Sequence, residues 1–301
     1  MKKLLLIGGG TIATHYKAGL DASKLYQLVA IVDTNPNCAA SNVFDAPVFT
    51  DLTEALKTGA EVAMVSTSTN THFDIAFELL RRGVAVIVEK PMCDTYEKVW
   101  ELFNVANQTR APLGCLFHWT YADEVMFLKS HLKEFGPIER INVRICDDYA
   151  NTPDGAIRSD RKGLCGAWLD SGINVLSYIG QIVNLKKHML LMDEHIADDV
   201  TGQLKFAHRV YRLGNTLADI TVDWRTASRE KTSQILCKRG VVEVNHSLQT
   251  VMLNGNVIYQ NTLEDRLTGH YLNAFQHFVP NKAQLQRAFT LHQILFEGGW
   301  R

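Results

Sequence analysis

Two short segments carry side chains of types and spacing that suit proton transfer at a substrate oxygen. The first is Glu89-Lys90-Pro91, which follows five apolar residues at 84–88. A lysine ammonium can polarise a substrate oxygen, and the following proline disfavours helical backbone at Lys90. Because a buried charge is costly unless it is paired or used, we interpret these charges as presented at the rim of a sheet rather than buried within it.

The second segment is GAWLDSGINVLSYIG at residues 166–180, in which Asp170 and Asn174 stand four positions apart. On a helix this spacing places both side chains on one face. A carboxylate and an amide there could remove a hydroxyl proton and orient the same oxygen. The alternative is an ordinary carboxylate in the first turn of a helix, stabilised by the helix dipole.

A glycine-rich stretch, GGGTIA at residues 8–13, follows the first apolar run and fits G-x-G-x-x-A. In a dinucleotide-binding unit Gly8 would make the tight turn, Gly10 would admit a pyrophosphate, and Ala13 would allow close helix packing. Asp33 stands 23 residues after Gly10, where a carboxylate accepts hydrogen bonds from ribose hydroxyls. No Arg or Lys follows in DTNPNCAA, so the sequence favours NAD over NADP.

Other strand ends should contribute to the same site. In an open α/β sheet, ligands lie outside the carboxyl ends of the strands. The predicted cofactor-binding residues are Gly8, Gly10, Thr11, Ile12, Ala13, Asp33, Thr67, Asn70, His72, Glu89 and Lys90. His118 could hydrogen-bond a substrate hydroxyl or be a satisfied histidine at the rim. The histidines form no H-x-x-x-H pattern or Cys/His cluster, so no metal site is predicted.

These segments need a scaffold, and residues 1–118 predict a doubly wound Rossmann domain. Helical patterns, clearest at 71–83 and at 94–109 with Asp94 as N-cap, separate apolar runs at 3–8, 26–33, 61–67, 84–89 and 111–118. Continuous apolar strands indicate a parallel sheet covered on both faces. The fold class is therefore α/β in this part of the chain.

The pattern changes after residue 118. Residues 218–224 alternate between apolar side chains and Asp or Thr, which is typical of an antiparallel sheet with one packed and one polar face. Asn254-Gly255 predicts a type I′ hairpin, and helical segments follow at 265–278 and 284–297. We therefore predict that residues 119–301 form an α+β domain with a large, mostly antiparallel open sheet.

Composition bounds the class of protein. The chain has 301 residues, 46% of them hydrophobic, and a formal net charge of −1, which suits two globular domains. Without a basic stripe, a nucleic-acid or membrane partner has little support. Six cysteines without a C-x-x-C pattern favour a reduced, cytoplasmic setting. The apolar run at 4–7 is too short for a signal peptide.

The combination of GGGTIA, Asp33, TNTH at 69–72, EKP at 89–91 and DSGIN at 170–174 resembles the Gfo/Idh/MocA oxidoreductase family. The resemblance implies a Rossmann domain and a second domain whose open sheet binds substrate on one face and dimerises through the other. It also implies oxidation or reduction of sugar and polyol carbons with NAD(H) or NADP(H). Lys90 would be the family's catalytic lysine, and Asp170 the aspartate of its D-x-G-x-H pattern.

Asn174 stands where many members of the family have histidine. The pattern D-x-G-I-N, with FHW at 117–119 and VDWR at 222–225, is similar to aldose 1-dehydrogenases that act on galactose or arabinose. Asp147 would replace a substrate-binding glutamate of that subgroup, but the subgroup's aromatic platform is missing from 146–163.

The resemblance and the residues lead to one principal hypothesis and two alternatives. The principal hypothesis is an NAD-dependent aldose 1-dehydrogenase in which Asp170 is the base, Lys90 stabilises the alkoxide and Asn174 positions the oxygen. Which of Lys90 and Asp170 loses the proton stays open. The alternatives are a polyol, inositol or ketosugar dehydrogenase and a noncatalytic NAD- or sugar-sensing regulator. A carbohydrate is the expected partner, and a homodimer or homotetramer through the second-domain sheet is the expected assembly.

Overall fold

The computed structural model describes residues 1–263 and 265–298, and the chain divides into two compact units. The first unit comprises Met1–His118 and Leu267–His292, and the second comprises Trp119–Arg266 with the described residues from Gln293 onward. The division after His118 is where the sequence analysis places it. The assignment of all residues from 119 to 301 to the second domain is corrected, because 267–292 pack within the first unit.

Aromatic packing explains why the segment 267–292 lies in the first unit. The rings of Tyr271 and Tyr16 lie 4.7 Å apart, and Phe275 meets both Tyr16 and Tyr26 edge-on. The Tyr26 hydroxyl also donates to the Phe278 carbonyl oxygen at 2.7 Å. Helical periodicity in the sequence predicts an apolar face but cannot identify the surface that this face meets.

A six-stranded parallel sheet forms the centre of the first unit, in the order β3-β2-β1-β4-β5-β6. Its strands are β1 Lys2–Ile7, β2 Tyr26–Val32, β3 Val48–Phe49, β4 Val62–Val65, β5 Ala85–Glu89 and β6 Leu113–Leu116. Every residue of β4 and β5 is buried, as expected for strands covered on both faces. The strand order reverses between β1 and β4, the place where such sheets bind ligands.

The second unit contains an eight-stranded sheet in the order β14-β13-β12-β11-β7-β10-β9-β8. Its strands are β7 Ile138–Cys146, β8 His188–Ala197, β9 Leu204–Leu213, β10 Thr216–Asp223, β11 Lys231–Cys237, β12 Gly240–Asn245, β13 Thr250–Leu253 and β14 Asn256–Gln260. Only β7 and β10 pair in parallel; the other neighbours in the described chain are antiparallel. The predicted fold class, a Rossmann sheet followed by a mostly antiparallel sheet, is confirmed.

Local predictions in the second sheet also hold. Ala218, Ile220 and Val222 of β10 are fully buried, so the alternating pattern does mark a packed face. Asn254 and Gly255 have φ values of 51° and 79°, and they join β13 to β14 as the predicted hairpin turn requires.

The longer helices agree with the sequence patterns to within a few residues, whereas the short helices α2 and α3 were not predicted. They are α1 Thr11–Thr14, α2 Lys17–Ala22, α3 Leu52–Leu56, α4 Thr69–Arg81, α5 Tyr96–Thr109, α6 Asp123–Phe135, α7 Ile173–Ile182, α8 Arg266–His277 and α9 Lys282–Leu295. Thr95, not Asp94, caps α5, and Asp94 instead forms an ion pair with Lys98 at 2.8 Å. No helix within the described residues has the length and apolar character needed to cross a bilayer.

Candidate functional site

The glycine turn after β1 has space for a ligand on one side and none on the other. Gly8 has a φ of 93°, and a Cβ atom there would lie 2.7 Å from backbone atoms of Ser66 and Thr67. Gly10, at the start of α1, has an extended conformation and nothing within 4 Å of its Cβ position. Gly8 is therefore required by the protein itself, whereas the space beside Gly10 can accept a ligand.

Asp33 follows β2 and is fixed beside the glycine turn. Its Oδ2 accepts a hydrogen bond from the Gly9 N–H at 2.7 Å, and its Oδ1 accepts one from the Asn35 N–H at 2.8 Å. A carboxylate has about four acceptor positions, and Asp33 is only partly buried, so ribose hydroxyls can still be bound. The open space at Gly10 and this oriented carboxylate together fit a dinucleotide.

The ends of β4 and β5 are joined by His72. Its Nδ1 lies 3.0 Å from the Pro91 carbonyl oxygen and its Nε2 lies 3.1 Å from the Thr67 carbonyl oxygen. Burial lowers the pKa of His72, which favours the neutral ring. His72 thus supports the loops predicted to bind the cofactor, whereas Asn70 in the first turn of α4 is exposed.

Glu89 is buried at the end of β5, with 5% of its surface exposed. Its Oε1 accepts hydrogen bonds from the Tyr16 and Tyr271 hydroxyls at 3.0 and 2.7 Å, and its Oε2 accepts one from the Lys90 N–H at 3.0 Å. Burial raises the pKa of Glu89, while the Tyr271 hydrogen bond and the Lys90 charge lower it. The prediction that both charges lie at the rim is therefore wrong for Glu89.

Glu89 can be buried because three hydrogen-bond donors compensate for its lost hydration. Two of those donors come from helical segments far away in sequence, so no local pattern indicated them. Lys90, the next residue, is only partly buried. The structure thus assigns the two predicted residues different roles: Glu89 orients the strand end, and Lys90 extends from it.

We expect removal of the Tyr271 hydroxyl to destabilise the protein in a pH-dependent manner. In Tyr271→Phe, Glu89 loses a donor, so its folded-state pKa should rise further above its ordinary value. At pH values between the unfolded-state and folded-state pKa of Glu89, the folded state binds more protons than the unfolded state. The free energy of unfolding therefore falls as the pH rises. The expected loss is about 1–3 kcal/mol at neutral pH, and it should shrink as the pH falls through the folded-state pKa of Glu89.

Tyr26→Phe is the matched control, because the Tyr26 hydroxyl donates to a neutral carbonyl. Its loss of stability should not vary with pH over the same range. The measurement is the free energy of unfolding in denaturant at several pH values for both variants. If the two losses were equally independent of pH, the Tyr271 hydroxyl would not act on stability through the charge of Glu89.

His118 contacts another histidine. Its Nδ1 lies 3.0 Å from Nδ1 of His270, so one ring donates and the other accepts. Tyr271 packs beside His118, with ring centroids 5.5 Å apart. The structure thus places His118 next to the tyrosine that binds Glu89, and its role in substrate binding stays a prediction.

Asp170 lies in a π-helical turn, Trp168–Gly172, that leads into α7. The Asn174 Nδ2 donates to the Asp170 carbonyl oxygen at 3.1 Å, a contact with the backbone of Asp170 rather than with its carboxylate. The Oδ1 of Asn174 is buried and has no hydrogen-bond partner among the described residues. An amide oxygen only accepts hydrogen bonds; Asn174 can therefore orient a hydroxyl but cannot carry a proton.

Trp168 holds this turn in place. Its Nε1 donates to the Leu295 carbonyl oxygen at 2.8 Å, and the Arg209 guanidinium lies 4.6 Å from its ring. A Cβ atom on Gly172 would lie 2.6 Å from the same ring. π-Helical turns inside helices are frequent at functional sites, and here the turn sets the position of Asp170.

Asp147 follows β7 and is paired with a residue that the sequence analysis missed. Lys231 Nζ lies 2.5 Å from its Oδ1. Burial raises the pKa of Asp147, the Lys231 charge lowers it and the Asp170 charge raises it. The roles of Asp147 and Asp170 in binding and proton transfer stay predictions. No spacing signal identifies Lys231, because it begins a strand 84 positions from Asp147.

Sequence comparisons identify relatives of both the first domain and the wider chain. A family model, GFO_IDH_MocA, described as an oxidoreductase family with an NAD-binding Rossmann fold, matches residues 2–116. Glucose-6-phosphate 3-dehydrogenase of Bacillus subtilis (strain 168) is 31% identical over 149 residues, 48% of this chain and 42% of that protein. Inositol 2-dehydrogenase of Rhizobium meliloti (strain 1021) is 25% identical over 160 residues, 51% of this chain and 48% of that protein.

These alignments span about half the length of the curated relatives. Among solved structures, the fold is similar to that of an inositol dehydrogenase homologue from Azotobacter vinelandii in complex with NADH and myo-inositol. The match has a TM-score of 0.75 and covers 100% of this chain and 89% of the homologue's chain. Its sequence identity is 17%, so this likeness concerns the fold. The glycine turn, Asp33, Glu89 and Lys90 all lie within the residues that match the family model, so this part of the chain is similar to the NAD-binding domain of the Gfo/Idh/MocA oxidoreductases.

Proposed function

We propose that the protein is an NAD-dependent oxidoreductase acting on a carbohydrate. The observation that carries the proposal is the position of Lys90. This residue follows β5 at the carboxyl end of the parallel sheet, and its backbone N–H donates a hydrogen bond to buried Glu89. The relatives named for glucose 6-phosphate and inositol support a sugar or polyol substrate.

The bound cofactor supplies a nicotinamide carbon that accepts or donates the hydride. Lys90 stabilises the negative charge that develops on the substrate oxygen, since an ammonium is a compact charge with three donors. Asp170 takes the hydroxyl proton. The acceptor-only Oδ1 of Asn174 receives a hydrogen bond from the same or a neighbouring hydroxyl.

We further propose that the reacting carbon is C1 of an aldose. The support is Asn174, which stands where the family's histidine pattern would place a second proton carrier. With an amide there, the acid–base work falls on Lys90 and Asp170. The alternative within the same class is a polyol, inositol or ketosugar dehydrogenase, which the inositol 2-dehydrogenase relative favours.

NAD is the proposed cofactor in preference to NADP. Both oxygens of Asp33 are held by backbone N–H groups, which keeps the carboxylate oriented. A carboxylate there would repel a 2′-phosphate, and residues 34–40 contain no Arg or Lys to bind one.

Assembly through the second-unit sheet is part of the proposal. Strands β8 and β11 leave Met189, Leu191 and Leu236 exposed, and symmetric pairing of such a face would bury them. Light scattering of the purified protein should report a dimer or tetramer. A monomer at micromolar concentration would remove this part of the proposal.

The test of function is a cofactor-reduction assay with purified protein. NAD⁺ or NADP⁺ is added with a panel of aldoses, polyols and inositols, and absorbance of the reduced cofactor is followed. We expect turnover with a carbohydrate and a preference for NAD⁺. Turnover only with polyols would move the reacting carbon away from C1. Cofactor binding without any redox change across the panel would favour a noncatalytic sensor and overturn the proposal.

A further inference from the structure

The cations around Asp147 and Asp148 in the second unit are mostly paired. Lys231 pairs with Asp147 at 2.5 Å and Arg229 with Asp148 at 2.9 Å. Arg158 and Arg161 lie over the Tyr149 ring and pair with Asp160 at 3.3 and 3.2 Å. These ion pairs account for the positive charges of this loop region without a ligand.

Arg266 differs from these four residues. Among the described residues of the second unit, no carboxylate lies within ion-pair distance of its guanidinium, and its Nη1 is buried without a hydrogen-bond partner. Burial lowers the pKa of Arg266, whereas the negative charges of Glu124 and Asp147 raise it. Arg266 as a residue is partly exposed, so its side chain can be reached from solvent. A buried N–H donor without an acceptor is unfavourable, and an anionic oxygen from outside the chain would satisfy it.

The surroundings of Arg266 hold the guanidinium in one place. Its Cζ lies 6.0 Å from the centroid of the Trp119 ring, and that ring stacks on His246 with centroids 4.8 Å apart. Glu124 is engaged by His246, whose Nδ1 lies 2.9 Å from Glu124 Oε1. One oxygen of each neighbouring carboxylate is thus engaged elsewhere, Glu124 Oε1 by His246 and Asp147 Oδ1 by Lys231, whereas Glu124 Oε2 is buried without a hydrogen-bond partner among the described residues.

The chemistry of the side chain narrows the ligand. A guanidinium offers a rigid fork of N–H donors that matches the two oxygens of a carboxylate or phosphate. Asn174 is 8% exposed, and its Oδ1 is buried without a hydrogen-bond partner among the described residues. A ligand hydroxyl could donate to this oxygen. A molecule with an anionic group and hydroxyls carries the two kinds of group that would complement Arg266 Nη1 and Asn174 Oδ1.

We propose that Arg266 binds an anionic substituent of the substrate, so that the substrate is a sugar phosphate or a sugar acid rather than a neutral aldose or polyol. This inference rests on the proposed carbohydrate oxidoreductase function and names its substrate class. Arg266 is then a specificity-determining residue, because the unpaired guanidinium disfavours neutral substrates as well as favouring charged ones.

Binding is measured first, by isothermal titration calorimetry on the full chain with NAD⁺ present. The probes are glucose 6-phosphate, galacturonate, inorganic phosphate, glucose and galactose. We expect one of the two anionic sugars to bind at least about tenfold more tightly than its neutral parent. Glucose 6-phosphate and galacturonate distinguish a phosphate group from a carboxylate as the source of the negative charge. Inorganic phosphate tests whether the anion site binds without a sugar.

Three variants test whether Arg266 is responsible. Arg266→Met should abolish the preference for the anionic sugar, and Arg266→Lys should retain part of it, because lysine keeps the charge but loses the fork. Arg229→Met is the matched control, since Arg229 is an exposed cation already paired with Asp148, and it should keep the preference. Thermal unfolding separates binding from folding: replacing Arg266, whose Nη1 is buried without an acceptor among the described residues, should leave the Tm unchanged or raised.

The outcomes distinguish this inference from the proposed function. The inference would be wrong if neutral sugars were turned over as fast as their anionic derivatives and Arg266→Met left both rates unchanged. The proposed oxidoreductase function would still stand. If anionic sugars bound through Arg266 but no probe changed the redox state of the cofactor, the proposed oxidoreductase function would be wrong and the anion site would stand. A lower Tm in both Arg266 variants with the preference intact would make Arg266 structural and also overturn the inference.

Discussion

Replacing Lys90 with methionine should lower kcat by about 10²–10³-fold while changing the affinity for NAD⁺ far less. Methionine keeps the length and apolar stem of lysine but removes the charge that is proposed to stabilise the alkoxide. The Lys90 contact with Glu89 is made by the backbone N–H, so the strand end should keep its position. The measurements are steady-state kinetics with the substrate found in the panel and fluorescence titration with NADH.

Asp170→Asn should cause a loss of similar size, because an amide cannot accept the hydroxyl proton. Asp148→Asn is the control in the same unit, since Asp148 is paired with the exposed Arg229. If Lys90 and Asp170 act in one step, the double variant should be little worse than either single variant. Unchanged kcat in Lys90→Met would remove Lys90 from the chemical step.

The second large effect is expected at Gly8. Alanine there would have to adopt a φ of 93° and place its methyl group 2.7 Å from the backbone of Ser66 and Thr67. Strain and overpacking together should lower the free energy of unfolding by at least about 2 kcal/mol. We therefore expect Gly8→Ala to lower the Tm and to lose NAD binding as a consequence of the disturbed turn.

Gly10→Ala is the matched comparison. Gly10 has a φ of −68° and no atom within 4 Å of its Cβ position, so alanine should fit and leave the stability unchanged or slightly higher. Its methyl group would nevertheless occupy the space that a pyrophosphate needs, and NAD affinity should fall at least about tenfold. Thermal unfolding and NADH titration on both variants check this. Intact NAD affinity in Gly10→Ala would exclude Gly10 from the cofactor site.

Prediction from the sequence was most successful where one local pattern reports one structural requirement. The apolar runs predicted all the long strands of the first sheet, because a parallel strand covered on both faces must be apolar throughout. The two-residue strand Val48–Phe49 was not predicted, because so short a segment shows no hydrophobic periodicity. The glycine turn and Asp33 were predicted together because their spacing along the chain reflects a single βαβ unit.

Prediction was least successful for Glu89. Its partners Tyr16 and Tyr271 are 73 and 182 positions away, and a tyrosine on a helix gives no sign of the carboxylate that it will meet. The assignment of 267–292 to the second domain was wrong for the same reason. An amphipathic helix shows that it packs, and only the folded chain shows against what.

By itself, the sequence determined the two sheets, the glycine turn, the carboxylate at Asp33 and the order of the motifs that indicate the family. Each of these depends on residues that are close in the chain. Only the tertiary structure decided that Glu89 is buried, and that Asn174 Oδ1 and Arg266 Nη1 are buried without hydrogen-bond partners among the described residues. Those outcomes depend on which polar groups meet after folding, because the free energy of a buried charge is set by its partners in space.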